Sequence, residues 1–413
     1  MKRWLIYFFV GITSVSFSQL SRDSLYKTLL GKDSIVDMVL LNPSKFRFQF
    51  ILSEVSRNEN GNNVSEKFDF SNDLYFYPAS MVKLPTAIFT LEWLDSLGIS
   101  LDSYVKMNKD FTCGYLNYID ITQKKRLQFD QIIEDMLSIS DNNYYNILFN
   151  VLTPKRINNK LVEKNLLNTY IYRSFDGCYS PLHVCSHSFS VFNPLNNKCF
   201  YSSYSCLDSM NYLSGFKASP SKRIGSFVMY NYKRLKQPFD FNYHLDYPLV
   251  DIHNTMEKLF LNESIDSNKS FNLSSNSKLF LMRCLSKYPR EMNNSIYHLY
   301  PDNYFKYILF GEDSISSTLG RYRTFSKIGI SYGFVTESAY VVDFDTETDF
   351  LLTMSIYVNQ NDVVNDGVYE YETIARPFMA RFSKLILGQL IEKKKRSSFD
   401  FDYFHFLKSL LDE

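Results

Sequence analysis

The sequence lacks an excess of charge of either sign: 45 Lys and Arg stand against 44 Asp and Glu, a formal net charge of +1. A protein that grips a polyanion needs a basic surplus, so composition gives nucleic-acid binding no support. Glycine and proline are scarce, at 14 and 12 in 413 residues, which excludes collagen-like and low-complexity chains. No long apolar run occurs beyond the N-terminus, which excludes a multi-span membrane protein. There is no Cys-x-x-Cys pair, the usual opening of a structural zinc site. What is abundant is aromatic: 36 Phe and 31 Tyr in a chain that is 45% apolar, enough to bury a sizeable core.

The apolar run at the start reads as an export signal. Lys2 and Arg3 precede Trp4–Ile12, and Ser16-Phe17-Ser18 offers small residues for cleavage before Gln19. Residues 1–18 are therefore expected to be a signal peptide, with no cysteine nearby to carry a lipid. The mature chain is expected to be periplasmic or secreted, without an integral membrane span. An oxidising compartment permits disulfides, and Cys178, Cys185, Cys199 and Cys206 cluster with His183 and His187 among them. Disulfides, unpaired thiols and a metal site all stay open on this spacing; Cys113 and Cys284 read as buried.

Periodicity places a short helix at Asp23–Leu30, a strand at Phe46–Phe50, and a turn at Asn58–Asn63. Helices follow at Met81–Leu97, closed by Gly98, and at Leu127–Leu137, with a third resuming near Tyr144. Residues 173–245 show weak periodicity and four prolines, and read as one irregular excursion. A helix at Val250–Phe260, strands at Tyr340–Phe344 and Phe350–Val358, a helix at Tyr371–Leu390 and a charged tail over 393–413 complete the chain. Strands at both ends with helices between them predict an α/β fold: an antiparallel sheet built from both termini, flanked by helices, with an inserted helical lobe. One domain spanning 19–392 is expected.

Three motifs carry chemistry. Ser80-Met81-Val82-Lys83 is a Ser-x-x-Lys, a spacing that puts amine and hydroxyl on one helical face. The same pattern starts at Ser24, Ser103, Ser214, Ser219 and Ser275, so context must single out Ser80. Tyr77-Pro78-Ala79 precedes it, and Pro85 is tolerated only near a helix start, which places Ser80 at an N-terminus. There free N–H groups favour a developing negative charge. Ser140-Asp141-Asn142 falls in the break between two helices, and Lys327-Ile328-Gly329, the one Lys-x-Gly, opens the C-terminal strands.

Ser-x-x-Lys, Ser-Asp-Asn and Lys-Thr-Gly in this order form the signature of class A β-lactamases and related penicillin-binding proteins, and the sequence resembles that superfamily from about Phe46 to Leu390. Tyr77-Pro78-Ala79-Ser80-Met81-Val82-Lys83-Leu84-Pro85 and Lys327-Ile328-Gly329-Ile330-Ser331-Tyr332-Gly333 look like the serine hydrolases of this group in Bacteroidetes-type bacteria. The resemblance implies a β-lactamase/transpeptidase-like fold and no cofactor or metal. It implies Ser80 as nucleophile, Lys83 as its base, Ser140 as proton donor to the leaving nitrogen, and Asn142, Lys327 and Gly329 at the substrate. The backbone N–H groups of Ser80 and Ile330 would form the oxyanion hole. The expected partner is a small β-lactam or a peptidoglycan-derived peptide.

Two departures stand out. Ile328 replaces the usual hydroxyl residue of the third motif. No glutamate occurs between Glu163 and Glu257, where the family carries its deacylating base; Asp176 is the one nearby substitute. Three readings follow: an acyl-enzyme-forming hydrolase, a D-alanyl peptidase of the cell wall, or an idle wall-binding module.

Overall fold

The computed structural model describes residues 25–412, apart from 59–60, 72–73, 108–125, 176–182, 187, 204–205, 210–218, 243, 262–269, 313–319 and 394–397. The signal peptide expected at residues 1–18 lies outside the described residues. Among those described, no helix is long and apolar enough to cross a membrane.

One sheet organises the molecule. Its strands are β1 (Gln49–Asn58), β2 (Gly61–Phe70), β3 (Tyr322–Ser331), β4 (Phe334–Asp343) and β5 (Thr348–Tyr357), in the order β3-β4-β5-β1-β2. All four pairings are antiparallel, so the sheet is built from both ends of the chain. The strand expected at Phe46–Phe50 starts later, at Gln49, and runs on to Asn58. Residues 46–48 form a turn instead: Arg47 has φ 41° and the Phe48 N–H bonds to the Pro43 carbonyl at 2.9 Å.

Alternation along β1 shows how the sheet divides two cores. Ile51 joins a cluster with Phe325, Tyr340 and Leu351, packed against the helical lobe. Its neighbours Phe50 and Leu52 join Ile328, Val335 and Val341 beneath Phe378 and Phe382 of the helix Arg376–Lys393. Successive side chains of a strand point to opposite faces, so a single register fixes both cores. β4 and β5 are buried along their whole length.

The lobe supplies α1 (Lys83–Leu97), α2 (Phe129–Ser138) and α3 (Asn142–Leu152), with α4 (Leu249–Phe260) and α5 (Ser275–Ser286) against the sheet. α1 is the central element, and its residues Lys83–Leu94 are all buried, so it is apolar on nearly every side. Gly98, at φ 62°, ends it in the left-handed conformation that glycine takes without strain. α6 (Arg376–Lys393) covers the far face of the sheet.

Two stretches depart from the sequence reading. The 173–245 segment contains ordered pairings of short strands, not irregular chain. Residues 183–186 pair with 206–209, residues 189–192 join 104–107 and 199–203, and 223–224 pairs with 239–240. Residues 227–230 pair with 233–235 and also with 363–364. Strands of two to five residues are too short to leave a readable period. The stretch read as a charged tail contains α7 (Ser398–Asp412), whose Phe404, Leu407 and Leu410 are buried. Asp400 of α7 and Asp349 of β5 both bind the buried Arg57 guanidinium of β1.

Candidate active site

The serine motif begins on a strained turn. Ala79 has φ 45°, and Ala79–Val82 forms a 3₁₀ turn that runs directly into α1. Ser80 is half-buried on this turn, and Lys83 opens α1. Gly329 explains how the turn reaches the sheet. A Cβ at that position would lie 2.2 Å from the Pro78 carbonyl oxygen, so only glycine lets β3 and the turn approach this closely. Gly329 and Ile330 therefore sit on the edge strand immediately beside the turn that carries Ser80.

The second motif is held from the lobe. Ser140 has φ 62°, and Asp141 caps α3 by accepting the Tyr144 N–H at 2.9 Å. Asn142 begins the helix. With the turn fixed, the side chains of all three motifs converge. Lys83 Nζ donates to Asn142 Oδ1 at 2.6 Å and to the Ser140 carbonyl at 2.5 Å, and lies 3.1 Å from Ser140 Oγ. Lys327 Nζ donates to the same Ser140 Oγ at 3.0 Å and to the Ile328 carbonyl at 2.9 Å.

Both amines are buried, at 0% exposure for Lys83 and 1% for Lys327. Burial, then the Lys327 charge, holds the Lys83 amine well below the usual lysine range. Burial, then Lys306, lowers Lys327 to about 7, against an opposing pull from Glu337. A neutral Lys83 is the form able to take a proton from a hydroxyl.

Asp176 lies outside the described residues. Its neighbour Phe175 does not: the Phe175 ring centroid is 5.5 Å from Lys83 Nζ, and its backbone N–H is held by Asn146 Oδ1 at 2.8 Å. An apolar ring thus borders the amine on the side of the 173–245 segment. The sequence reading passed over Phe175 and looked only for a carboxylate.

It also missed an aromatic wall. Tyr332 and Gly333 both have positive φ, at 54° and 86°, and make the two-residue turn between β3 and β4. The Tyr332 ring meets Tyr77 at 5.3 Å, Phe239 at 5.1 Å and Phe241 at 5.5 Å between centroids. His244 packs on Phe239 and Phe241 and shares a 3.0 Å contact with Arg173 Nη1. Burial and the Arg173 charge push this imidazole down to about 3, so it is neutral. Phe239, Phe241 and His244 come from the segment that looked structureless; the density of aromatic residues there was the available signal.

Of the clustered cysteines, Cys199 is an exposed free thiol. Cys185 and Cys206 sit on the paired strands 183–186 and 206–209; their side chains, that of His183, and residues Cys178 and His187 lie outside the described residues, as does Cys113. Cys284 is buried and free, as expected.

The sheet from both chain ends, the inserted helical lobe and the three motifs at their junction define a β-lactamase/transpeptidase-like fold. Residues 39–188, which hold Ser80, Lys83, Ser140 and Asn142, match the model of a family described as the beta-lactamase enzyme family. The match shows that this part of the chain is similar to that family. No curated protein matches it. Among solved structures it is similar to a β-lactamase from Chitinophaga pinensis, at 14% identity over 90% of this chain and 99% of that one, with a TM-score of 0.47. It is similar to a β-lactamase from Sphaerobacter thermophilus, at 13% identity over 86% and 97%, with a TM-score of 0.48. A mutant of PBP-A in an acyl-enzyme complex with penicillin G shows 14% identity over 89% and 97%, with a TM-score of 0.48.

Proposed function

We propose that the protein is an exported serine hydrolase that forms an acyl-enzyme on Ser80 with a β-lactam or a related amide. The observation that carries this reading is the Ser140 hydroxyl, in hydrogen-bond reach of both buried amines at 3.1 and 3.0 Å. Neutral Lys83 takes the Ser80 proton as Oγ attacks the carbonyl carbon. The oxyanion is received by the backbone N–H groups of Ser80 and Ile330. As the C–N bond breaks, Ser140 gives its proton to the leaving nitrogen and recovers one from Lys83. Asn142 orients Lys83 and accepts a hydrogen bond from the substrate amide N–H, Lys327 supplies positive charge for a substrate carboxylate, and Gly329 lets β3 lie against the turn that carries Ser80. The export signal supports a site of action outside the cytoplasm.

One observation favours a second reading, a D-alanyl peptidase of the cell wall with a long-lived acyl-enzyme. Hydrolysis of the Ser80 ester needs a water and a base, and the described wall above Lys83 is the Phe175 ring. Intact-protein mass spectrometry after mixing with a fluorescent penicillin tests both. A single adduct mapping to Ser80 supports the acyl-enzyme reading, and its lifetime separates the two. No adduct at any pH overturns both.

A further inference from the structure

Two buried charged residues stand outside the three motifs yet against the strand that carries Lys327. Along β3 the side chains of Phe325, Lys327 and Gly329 face the lobe, and those of Ser326 and Ile328 face the opposite side, beneath α6. On that opposite side Lys306 Nζ is spent on β3 and α5: it donates to the Thr324 carbonyl at 3.2 Å, to Ser326 Oγ at 3.3 Å and to the Leu285 carbonyl at 2.9 Å. Glu337 lies across from Ile328 in the β3–β4 register, and its Oε2 accepts the Tyr307 and Ile308 N–H groups at 2.9 Å each. Exposure is 4% for Lys306 and 0% for Glu337. Burying a lysine and a glutamate is costly, and the hydrogen bonds each makes to buried backbone groups offset part of that cost. Both also lie beside the Lys327 peptide.

We propose that Lys306 and Glu337 are positioning residues that set the charge carried by Lys327 in the cleft, acting through the backbone of β3 from its far face. Ser326, which receives Lys306, is joined directly to Lys327, and Ile328, opposite Glu337, is joined on its other side. A like charge and an unlike charge therefore bracket the Lys327 peptide. A charged Lys306 disfavours a charged Lys327 and a charged Glu337 favours it; burial itself pushes Lys306 down and Glu337 up, so the three groups titrate together. Lys327 in turn acts on Lys83. Among the described residues, the other charged groups around this cluster are Lys83 on α1, Asp141 before α3, the Arg323–Glu291 pair, which faces Lys306, and the Arg376–Glu372 pair, which faces Tyr307 beside Glu337. Farther along the lobe, Asp135 sits near Asp141, and Glu134 is paired with Lys287. Lys306 and Glu337 sit behind β3, and they give the cleft a lysine whose charge can be tuned without any contact with substrate. The consequence for catalysis rests on the reading of Ser80 as an acylated nucleophile.

The test follows the titration of Lys327 itself, by NMR of protein carrying labelled lysine Cε, with the signal assigned by its loss in Lys327→Arg. Lys306→Met is expected to raise the Lys327 midpoint by about one pH unit and Glu337→Gln to lower it by about as much. If Lys306→Met fails to fold, Glu337→Gln decides alone, since glutamine keeps an oxygen for the Tyr307 and Ile308 N–H groups. A Lys327 midpoint unmoved in a folded variant overturns the proposal. A wild type that forms no penicillin adduct overturns the acyl-enzyme reading and leaves this titration readable.

Discussion

Lys83 Nζ and Lys327 Nζ approach the same oxygen, Ser140 Oγ, from opposite lobes of the molecule, at 3.1 and 3.0 Å. One lysine arrives on the first turn of α1 and the other on the edge strand β3, and both are buried. Two buried cations around one hydroxyl repel each other, so the pair is stable with at most one of them fully charged. On the proposed reading, that asymmetry lets Lys83 act as base and Lys327 as anion anchor.

The first prediction concerns the nucleophile. Ser80→Ala is expected to abolish covalent labelling by a penicillin or a fluorophosphonate, read by intact mass. Lys83→Met is expected to slow labelling by about 10²–10⁴, the usual contribution of a general base. Unchanged labelling in Ser80→Ala would assign the adduct to another residue.

The second concerns pH. Lys327 is lowered to about 7, chiefly by burial, so its positive charge is present below that value and lost above it. Lys83 is held well below the ordinary lysine range by burial, so its base form reaches to lower pH than that of an ordinary lysine. Acylation by a penicillin, which carries a carboxylate, should therefore fall as pH rises through about 7. Labelling by an uncharged fluorophosphonate, which needs no anion anchor, should show no such fall. Parallel profiles for the two probes would remove Lys327 from substrate binding.

The sheet and the site were legible in the sequence to different depths. The strands Tyr340–Phe344 and Phe350–Val358 lie within or beside β4 and β5, because long buried strands leave continuous apolar runs. Gly98 and Pro85 marked the ends of α1 through backbone chemistry that context does not override. Phe46–Phe48 misled: alternation there serves a turn whose aromatic residues are buried from an irregular backbone. The 173–245 pairings were illegible because each strand is shorter than one readable period. α7 was hidden by the charges ahead of it, and its anchor, Arg57 with Asp400, joins residues far apart in sequence.

That anchor gives a third prediction. Arg57 is buried between Asp349 and Asp400 and hydrogen-bonds the Tyr340 hydroxyl. Arg57→Met leaves a buried carboxylate in β5 without its cation, a change that typically costs about 3–5 kcal/mol. Asp400→Asn, which keeps a hydrogen-bonding oxygen and leaves Asp349 in place, should cost clearly less. Urea midpoints for the two variants check the ordering, and equal costs would show that the ion pair with Asp349 is not the dominant contact.

A fourth rests on Gly329. A methyl group there would meet the Pro78 carbonyl 2.2 Å away and Met81 at 3.1 Å, contacts that require the turn or the strand to move. Gly329→Ala is expected to lose about 1–3 kcal/mol of stability, the usual cost of overpacking. It should also slow acylation, because the displaced turn carries Ser80. A variant with wild-type stability and wild-type labelling would show that turn and strand are not held together at this point.

The last concerns the fate of the acyl-enzyme. On the proposed reading, forming the ester uses Ser80, Lys83, Ser140 and two backbone N–H groups. Breaking it needs a water held near the ester and a base to deprotonate it, and a general base is worth about 10²–10⁴ in rate. Among the described residues, the Phe175 ring borders Lys83, 5.5 Å from the amine, and can neither orient a water nor accept its proton. The adduct should therefore accumulate in a burst and decay slowly. Phe175→Glu places a carboxylate beside Lys83 in a half-buried position, where it also favours the charged form of that amine. It is expected to shorten the adduct lifetime at least tenfold, read by timed intact mass, and to slow acylation, since a charged Lys83 cannot act as base. Asp176→Asn supplies the control: an unchanged lifetime removes Asp176 as the base. Rapid clearance of penicillin by the wild type, with no adduct at any time point, would mean that another group activates the water and that the Phe175 wall does not govern turnover.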